Sequence, residues 1–141
     1  MLLHIVAVGR IGRSPEAELV ARYAARLGPT LKITELSEQK AQRLPPAEGG
    51  VRTVVLDERG KLLSSEAFAG KLGGWRDEGV REVRFLIGGA DGHAEEVRQS
   101  ADLLLSFSPM TWPHMMVRSM LAEQLYRAMS ILANHPYHRG N

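Results

Sequence analysis

Five short apolar runs, separated by segments of helical character, fix what this chain can fold into. They cover residues 2–8, 31–36, 51–56, 83–87 and 103–107. Each is too short for a buried helix and long enough for a strand. Between them lie stretches with helix-start signals. Ser14-Pro15-Glu16 supplies an N-cap, a proline at the first helical position and an acid in the first turn. Ser64-Ser65-Glu66 opens a second helix that reaches about Asp77. Gly70, Gly73 and Gly74 weaken that helix by about 1 kcal/mol each relative to Ala, so packing must hold it. A short helix is expected over 94–100 and a long one over 115–133. In the long one Val117, Leu121, Leu125, Ala128 and Leu132 recur every three or four residues and form one apolar stripe. Strand and helix alternate throughout, which is the signature of a parallel sheet flanked by helices.

At 141 residues the chain fits one domain, 1–141, with one core. A hydrophobic content of 44% and a charged content of 24% exclude general disorder. No apolar run approaches the roughly 20 residues a membrane span needs, and residues 1–8 do not read as a signal peptide. The absence of cysteine excludes disulfides and thiolate metal sites and fits a cytoplasmic protein. A net charge of +2 permits a nucleic-acid partner without the dense basic patch of a nonspecific binder. Residues 37–50 are polar, hold Pro45-Pro46 and Gly49-Gly50, and read as a loop with one helical turn around 38–43.

Three strand ends carry unusual loops: Leu56-Asp57, Gly88-Gly89-Ala90-Asp91-Gly92, and Phe107-Ser108-Pro109-Met110-Thr111-Trp112. The C-terminal ends of parallel strands lie on one edge, so such loops can converge on one ligand. The glycine run is neither a Walker loop nor a dinucleotide fingerprint, and a tight turn accounts for it equally well. Pro109 and Pro113 stiffen the third loop. Arg118, Glu123, Tyr126 and Arg127 lie off the apolar stripe of the last helix, where a solvated charged face is the ordinary outcome. Close to the C-terminus follows His135-Pro136-Tyr137-His138-Arg139, a concentration of functional groups in a segment that would normally fray. His4 reads as structural, His93 as a surface or cap residue and His114 as positional, and no histidine spacing suits a metal.

Together these motifs resemble the RlmH-type (YbeA) family of SPOUT-class methyltransferases. The likeness runs from Ile5-Val6-Ala7-Val8-Gly9, through Leu56-Asp57-x-x-Gly60-Lys61-x-Leu63-Ser64-Ser65-Glu66 and Leu86-Ile87-Gly88-Gly89-x-x-Gly92. It continues in Ser106-x-Ser108-x-Met110-Thr111-x-Pro113-His114, Arg118, Glu123-Gln124-x-Tyr126-Arg127-Ala128 and His135-Pro136-Tyr137-His138. The resemblance implies an α/β-knot fold, with the C-terminal segment threaded into a trefoil, which is exceptional among proteins. It implies S-adenosylmethionine as methyl donor, touching Leu56, Gly88, Phe107, Ser108, Pro109, Met110, Thr111 and Trp112. It implies a homodimer with the final helix at its interface and an RNA site shared between subunits, acting on N3 of a pseudouridine in 23S rRNA of the assembled ribosome.

Within that frame His138 is the expected general base, Tyr137 stacks on or bonds to the target base, and Arg118, Arg127 and Arg139 contact phosphate or uracil oxygens. The segment 37–50 is shorter than the family's usual one, which touches none of the donor loops. Two other readings share these motifs. One is a SPOUT methyltransferase acting on tRNA; the other is a nucleotide-binding α/β module without catalysis, which leaves the tail unexplained.

Overall fold

The computed structural model describes residues 1–139; the last two positions of the chain lie outside the described residues. Strands β1 (Leu2–Val8), β2 (Leu31–Leu36), β3 (Val51–Leu62), β4 (Glu82–Ile87) and β5 (Leu103–Ser106) form one parallel sheet in the order β2-β1-β4-β3-β5. The helices are α1 (Pro15–Leu27), α2 (Glu38–Ala41), α3 (Ser65–Asp77), α4 (Glu95–Gln99) and α5 (His114–Leu132), with a 3-10 turn at Gly28–Thr30.

Alternation along each strand divides the core. Leu3, Ile5 and Ala7 of β1, Val54 and Leu56 of β3, Val83, Phe85 and Ile87 of β4, and Leu103 and Leu105 of β5 face α1, α3 and α5. Val6, Val55 and Leu86 face the other way, towards Leu36, Leu44 and Val97. The first face carries the bulk of the packing. Phe85 meets Phe68 of α3 edge-on, with centroids 6.2 Å apart, and each such fully buried side chain contributes about 1.5–3 kcal/mol. Phe68, Ala69, Leu72 and Trp75 anchor the glycine-rich α3 as its composition requires. The two connections that step towards β2 cross the first face, and the two that step towards β5 cross the second. All four crossovers therefore share one hand, as the twist of parallel strands demands.

Ser14 and Ser64 cap their helices as expected, each accepting from a backbone N–H three residues on. Two features differ from expectation. β3 does not stop at Leu56; after an excursion over 57–60 it rejoins β5, so that Leu56 and Lys61 both oppose Leu105. Gly60 makes this feasible, because a Cβ there would lie 2.6 Å from the Leu104 backbone. The C-terminal tail, expected to fray, is docked. Asn134 adopts a left-handed conformation (φ 56°) that ends α5 and turns the chain back. Tyr137 then packs edge-on against Tyr126, with centroids 4.7 Å apart.

Candidate active site

The excursion of β3, the glycine turn after β4 and the loop after β5 meet at the C-terminal edge of the sheet. Between them lies a cavity of about 280 Å³, lined by residues that include Leu56, Gly88, Phe107, Ser108, Met110, Thr111 and Trp112. This is close to the roughly 300 Å³ at which small-molecule clefts begin, and far too small for a folded nucleic-acid element. Of the eight sequence-derived pocket residues, Pro109 alone is absent from the lining.

Each loop is built by a different device. Asp57 accepts from the backbone N–H of Arg59 at 2.9 Å and from its guanidinium at 3.2 Å. Burial pushes the Asp57 carboxyl up, but Arg59 and Arg98 outweigh it and hold it below the usual range. In the glycine turn the Gly92 N–H donates to Gly89 O at 3.0 Å. A Cβ on Gly88 would lie 2.8 Å from Gly92 O, so Gly88 is required by the turn itself, which also walls the cavity. In the third loop serines do much of the work credited to the prolines. Ser106 Oγ donates to Ser108 O (2.8 Å) and accepts from Ser108 N–H (3.0 Å), while Ser108 Oγ accepts from Met110 N–H (3.0 Å). Thr111 then donates to Glu58 at 2.7 Å and ties this loop to the β3 excursion.

Two imidazole nitrogens belonging to cavity-lining residues are buried without a hydrogen-bond partner, His93 Nε2 and His114 Nδ1. Burial pushes the His93 imidazole below its ordinary value, which keeps it neutral. From sequence alone His93 read as a surface or cap residue and His114 as positional, because only the folded chain brings both to this cavity. Arg98 also lines the cavity, held by His93 O (2.6 Å) and Glu95. No motif pointed to it.

The expected catalytic residues divide between two places. Arg118 is not on a solvated face: it is 1% exposed, and its guanidinium donates to Glu35 (2.5 Å) and to Gly9 O (3.1 Å). Its side chain ties the end of β1 to β2, where the Ile11 N–H also donates to Glu35. The tail forms a second cluster. Tyr137 donates to Glu123 at 2.7 Å, with the Tyr23 hydroxyl 3.3 Å away. Burial, together with those two partners, pushes the Tyr137 phenol above its ordinary value. Arg127 pairs with Glu123 (2.7 Å), lies over the Tyr137 ring and donates to His138 Nδ1 at 3.0 Å. His138 Nε2 meets Glu66 of α3 at 2.6 Å. Arg139 is exposed at the end of the cluster. Among the described residues, none of Arg127, Tyr137, His138 and Arg139 lines the strand-end cavity. His4 bridges Glu82 and Thr34 across three strands, as a structural residue should. The described residues hold no group of three or more side chains suited to a metal. No described helix is long and apolar enough to cross a membrane.

A family model described as predicted SPOUT methyltransferase matches residues 1–138. The SpoU methyltransferase AviRb from Streptomyces viridochromogenes, solved in complex with AdoMet, superposes with a TM-score of 0.52 at 14% identity. The match covers 91% of this chain and 58% of that one, and it establishes the fold. Sheet order, strand-end cavity and family match thus define the class, a SPOUT methyltransferase. Ribosomal RNA large subunit methyltransferase H of Novosphingobium aromaticivorans is 62% identical over 139 residues, and that of Rhizorhabdus wittichii 63%, each alignment covering 99% of both chains. The chain belongs to this methyltransferase H (RlmH) family.

Proposed function

We propose that the chain, as one methyltransferase domain over 1–141, methylates N3 of a pseudouridine in the 23S rRNA of assembled cytoplasmic ribosomes, using S-adenosylmethionine and working as a homodimer. The family membership and the strand-end cavity together carry this reading. The relatives' names specify large-subunit ribosomal RNA, and the solved SpoU relative binds AdoMet. The knot of the class follows from the same membership, with the segment after β5 threaded through a loop.

The cavity suits the donor in size and in chemistry. It offers apolar walls from Leu56, Phe107, Met110 and Trp112 and the close backbone of the glycine turn. Leu56, Gly88, Phe107, Ser108, Met110, Thr111 and Trp112 would hold it, with Pro109 stiffening the loop from outside. Bound there, S-adenosylmethionine would supply a methyl group on a sulfonium, an already activated electrophile. The chain must then orient the acceptor and remove its proton.

N3 of pseudouridine carries an imide proton that must leave as the new bond forms. His138 accepts it at Nδ1, the nitrogen that Arg127 now covers. Drawing the Arg127 guanidinium onto an RNA phosphate or uracil oxygen uncovers that lone pair, so substrate binding arms the base. Tyr137 orients the target base, Arg139 adds a phosphate contact, and buried Arg118 holds the β1–β2 end that underlies the site. Because the tail lies away from the cavity of its own subunit, the tail of one subunit serves the donor loops of the other. Exposed Met110 and Trp112, in the loop before α5, and Met116, in its first turn, suit a subunit contact there.

The test is transfer of labelled methyl from S-adenosylmethionine to ribosomes that lack the modification, beside free large subunits and tRNA, with the product nucleotide mapped. Label at a large-subunit pseudouridine, strongest on assembled ribosomes, is expected. Label confined to tRNA overturns the substrate, and none at all overturns the activity.

A further inference from the structure

The proposed base leaves one question open: what decides which of its nitrogens carries the proton. Two neighbours of His138 answer it. Arg127 approaches Nδ1 at 3.0 Å, and a guanidinium has donors only. Nδ1 is therefore the acceptor, and the ring proton sits on Nε2. That proton points at Glu66 Oε1, 2.6 Å away. The His138 hydrogen bond holds the Glu66 carboxyl below its ordinary value, so it is an anion at neutral pH.

We propose that Glu66 is a positioning residue for the methyl transfer, acting through His138 as the carboxylate of a carboxylate–imidazole pair. The inference rests on the reading of His138 as the base. Glu66 fixes the tautomer with its lone pair on Nδ1, sets the ring plane, and stabilises the imidazolium that forms when the N3 proton arrives at Nδ1. The proton on Nε2 stays with His138 throughout. When product leaves, the imidazolium returns its proton to water and Arg127 covers Nδ1 again.

The placement of Glu66 supports this role over a purely structural one. Ser64 caps α3 by accepting from the Ala67 N–H, and Glu66 adds only a first-turn acid that also bonds its own N–H and the Ser64 hydroxyl. The Glu66 side chain is 65% exposed, and its loss leaves no buried group unpaired. Ser65 beside it donates to Gln124 of α5 at 2.8 Å, which fixes the start of α3 against the helix that carries Arg127 and Glu123. The carboxylate is thus held at a set place relative to both partners of the tail.

The experiment compares Glu66→Gln, Glu66→Asp, His138→Ala and the double variant Glu66→Gln/His138→Ala as full-length dimers. Rates are measured on undermethylated ribosomes with labelled S-adenosylmethionine, and folding is checked by thermal unfolding. Gln keeps an acceptor and loses the charge, so kcat should fall by about 10- to 100-fold, a part of what a general base supplies. The KM for the donor should stay unchanged, and the unfolding midpoint should drop only by the small helix-dipole contribution of a first-turn acid. Asp should restore part of kcat, and the double variant should be no slower than His138→Ala. If Glu66→Gln keeps kcat within about twofold of wild type while His138→Ala is slow, Glu66 has no such role and the function of His138 stands. If His138→Ala is itself fully active, the base assignment falls and this inference falls with it. Nitrogen-15 shifts of the His138 ring give a check independent of activity. A proton on Nε2 is expected, and one on Nδ1 overturns the proposal.

Discussion

At the scale of single residues, the molecule turns on how charged groups are shared. Arg118 was legible as a family residue, but its burial was not, because a helical period places it beside the apolar stripe rather than in it. The guanidinium reaches over that stripe to the end of β1, a contact set by tertiary packing alone. Replacing it by Met leaves the Gly9 carbonyl without the Arg118 donor and Glu35 with the Ile11 N–H alone. The expected loss is about 1–3 kcal/mol, read as a lower urea midpoint; an unchanged midpoint would contradict the assignment. Glu35 gives the matching pH prediction. The Ile11 N–H, opposed by burial and joined by Arg118, holds its carboxyl below the ordinary 4.5 in the folded state. A depressed carboxyl stabilises the fold above the unfolded value and loses that contribution as pH falls through the folded value. Stability should therefore decline below about pH 4.5, and Glu35→Gln should flatten that part of the curve. A variant curve parallel to wild type throughout would show that Glu35 does not titrate this way.

At the scale of elements, strands and helices were readable because their period and caps are local properties. Short apolar runs marked the strands, and serine caps marked the start of α1 to the residue and that of α3 to within one or two. What sequence alone did not show was the continuation of β3 past Leu56. That depends on Gly60 meeting the backbone of a strand more than forty positions away, and pairing of that kind leaves no local mark. The excursion it creates carries Asp57 and Glu58, so the shape of the cavity depends on it. Gly60→Ala should push β3 and β5 apart and destabilise the fold by about 1–3 kcal/mol. Donor affinity measured by calorimetry should fall with it. Wild-type affinity and stability in that variant would mean that the close approach is not what holds the loop. The serine staples of the Phe107–Trp112 loop were likewise hidden behind its more conspicuous prolines.

At the scale of the whole molecule, the salient fact is separation. The strand-end cavity and the tail cluster both belong to the account of catalysis, yet no tail residue lines the cavity. The family resemblance was specific enough to name both parts from sequence, since their motifs stand far apart in the chain and in fixed order. In the proposed homodimer they meet between two copies of the chain, and a single sequence carries that only as exposed apolar side chains, Met110, Trp112 and Met116, in and just before α5. In that proposed dimer the two parts join across a two-fold axis. Mixing two variants tests this directly: His138→Ala, which lacks the proposed tail base, and Ser108→Trp, which fills the proposed donor cavity. Each homodimer should be inactive. After subunit exchange, half the dimers are mixed and one site in each holds both intact parts, so about a quarter of wild-type activity should return. No recovery after confirmed exchange would mean that each subunit completes its own site, and would contradict the shared active site.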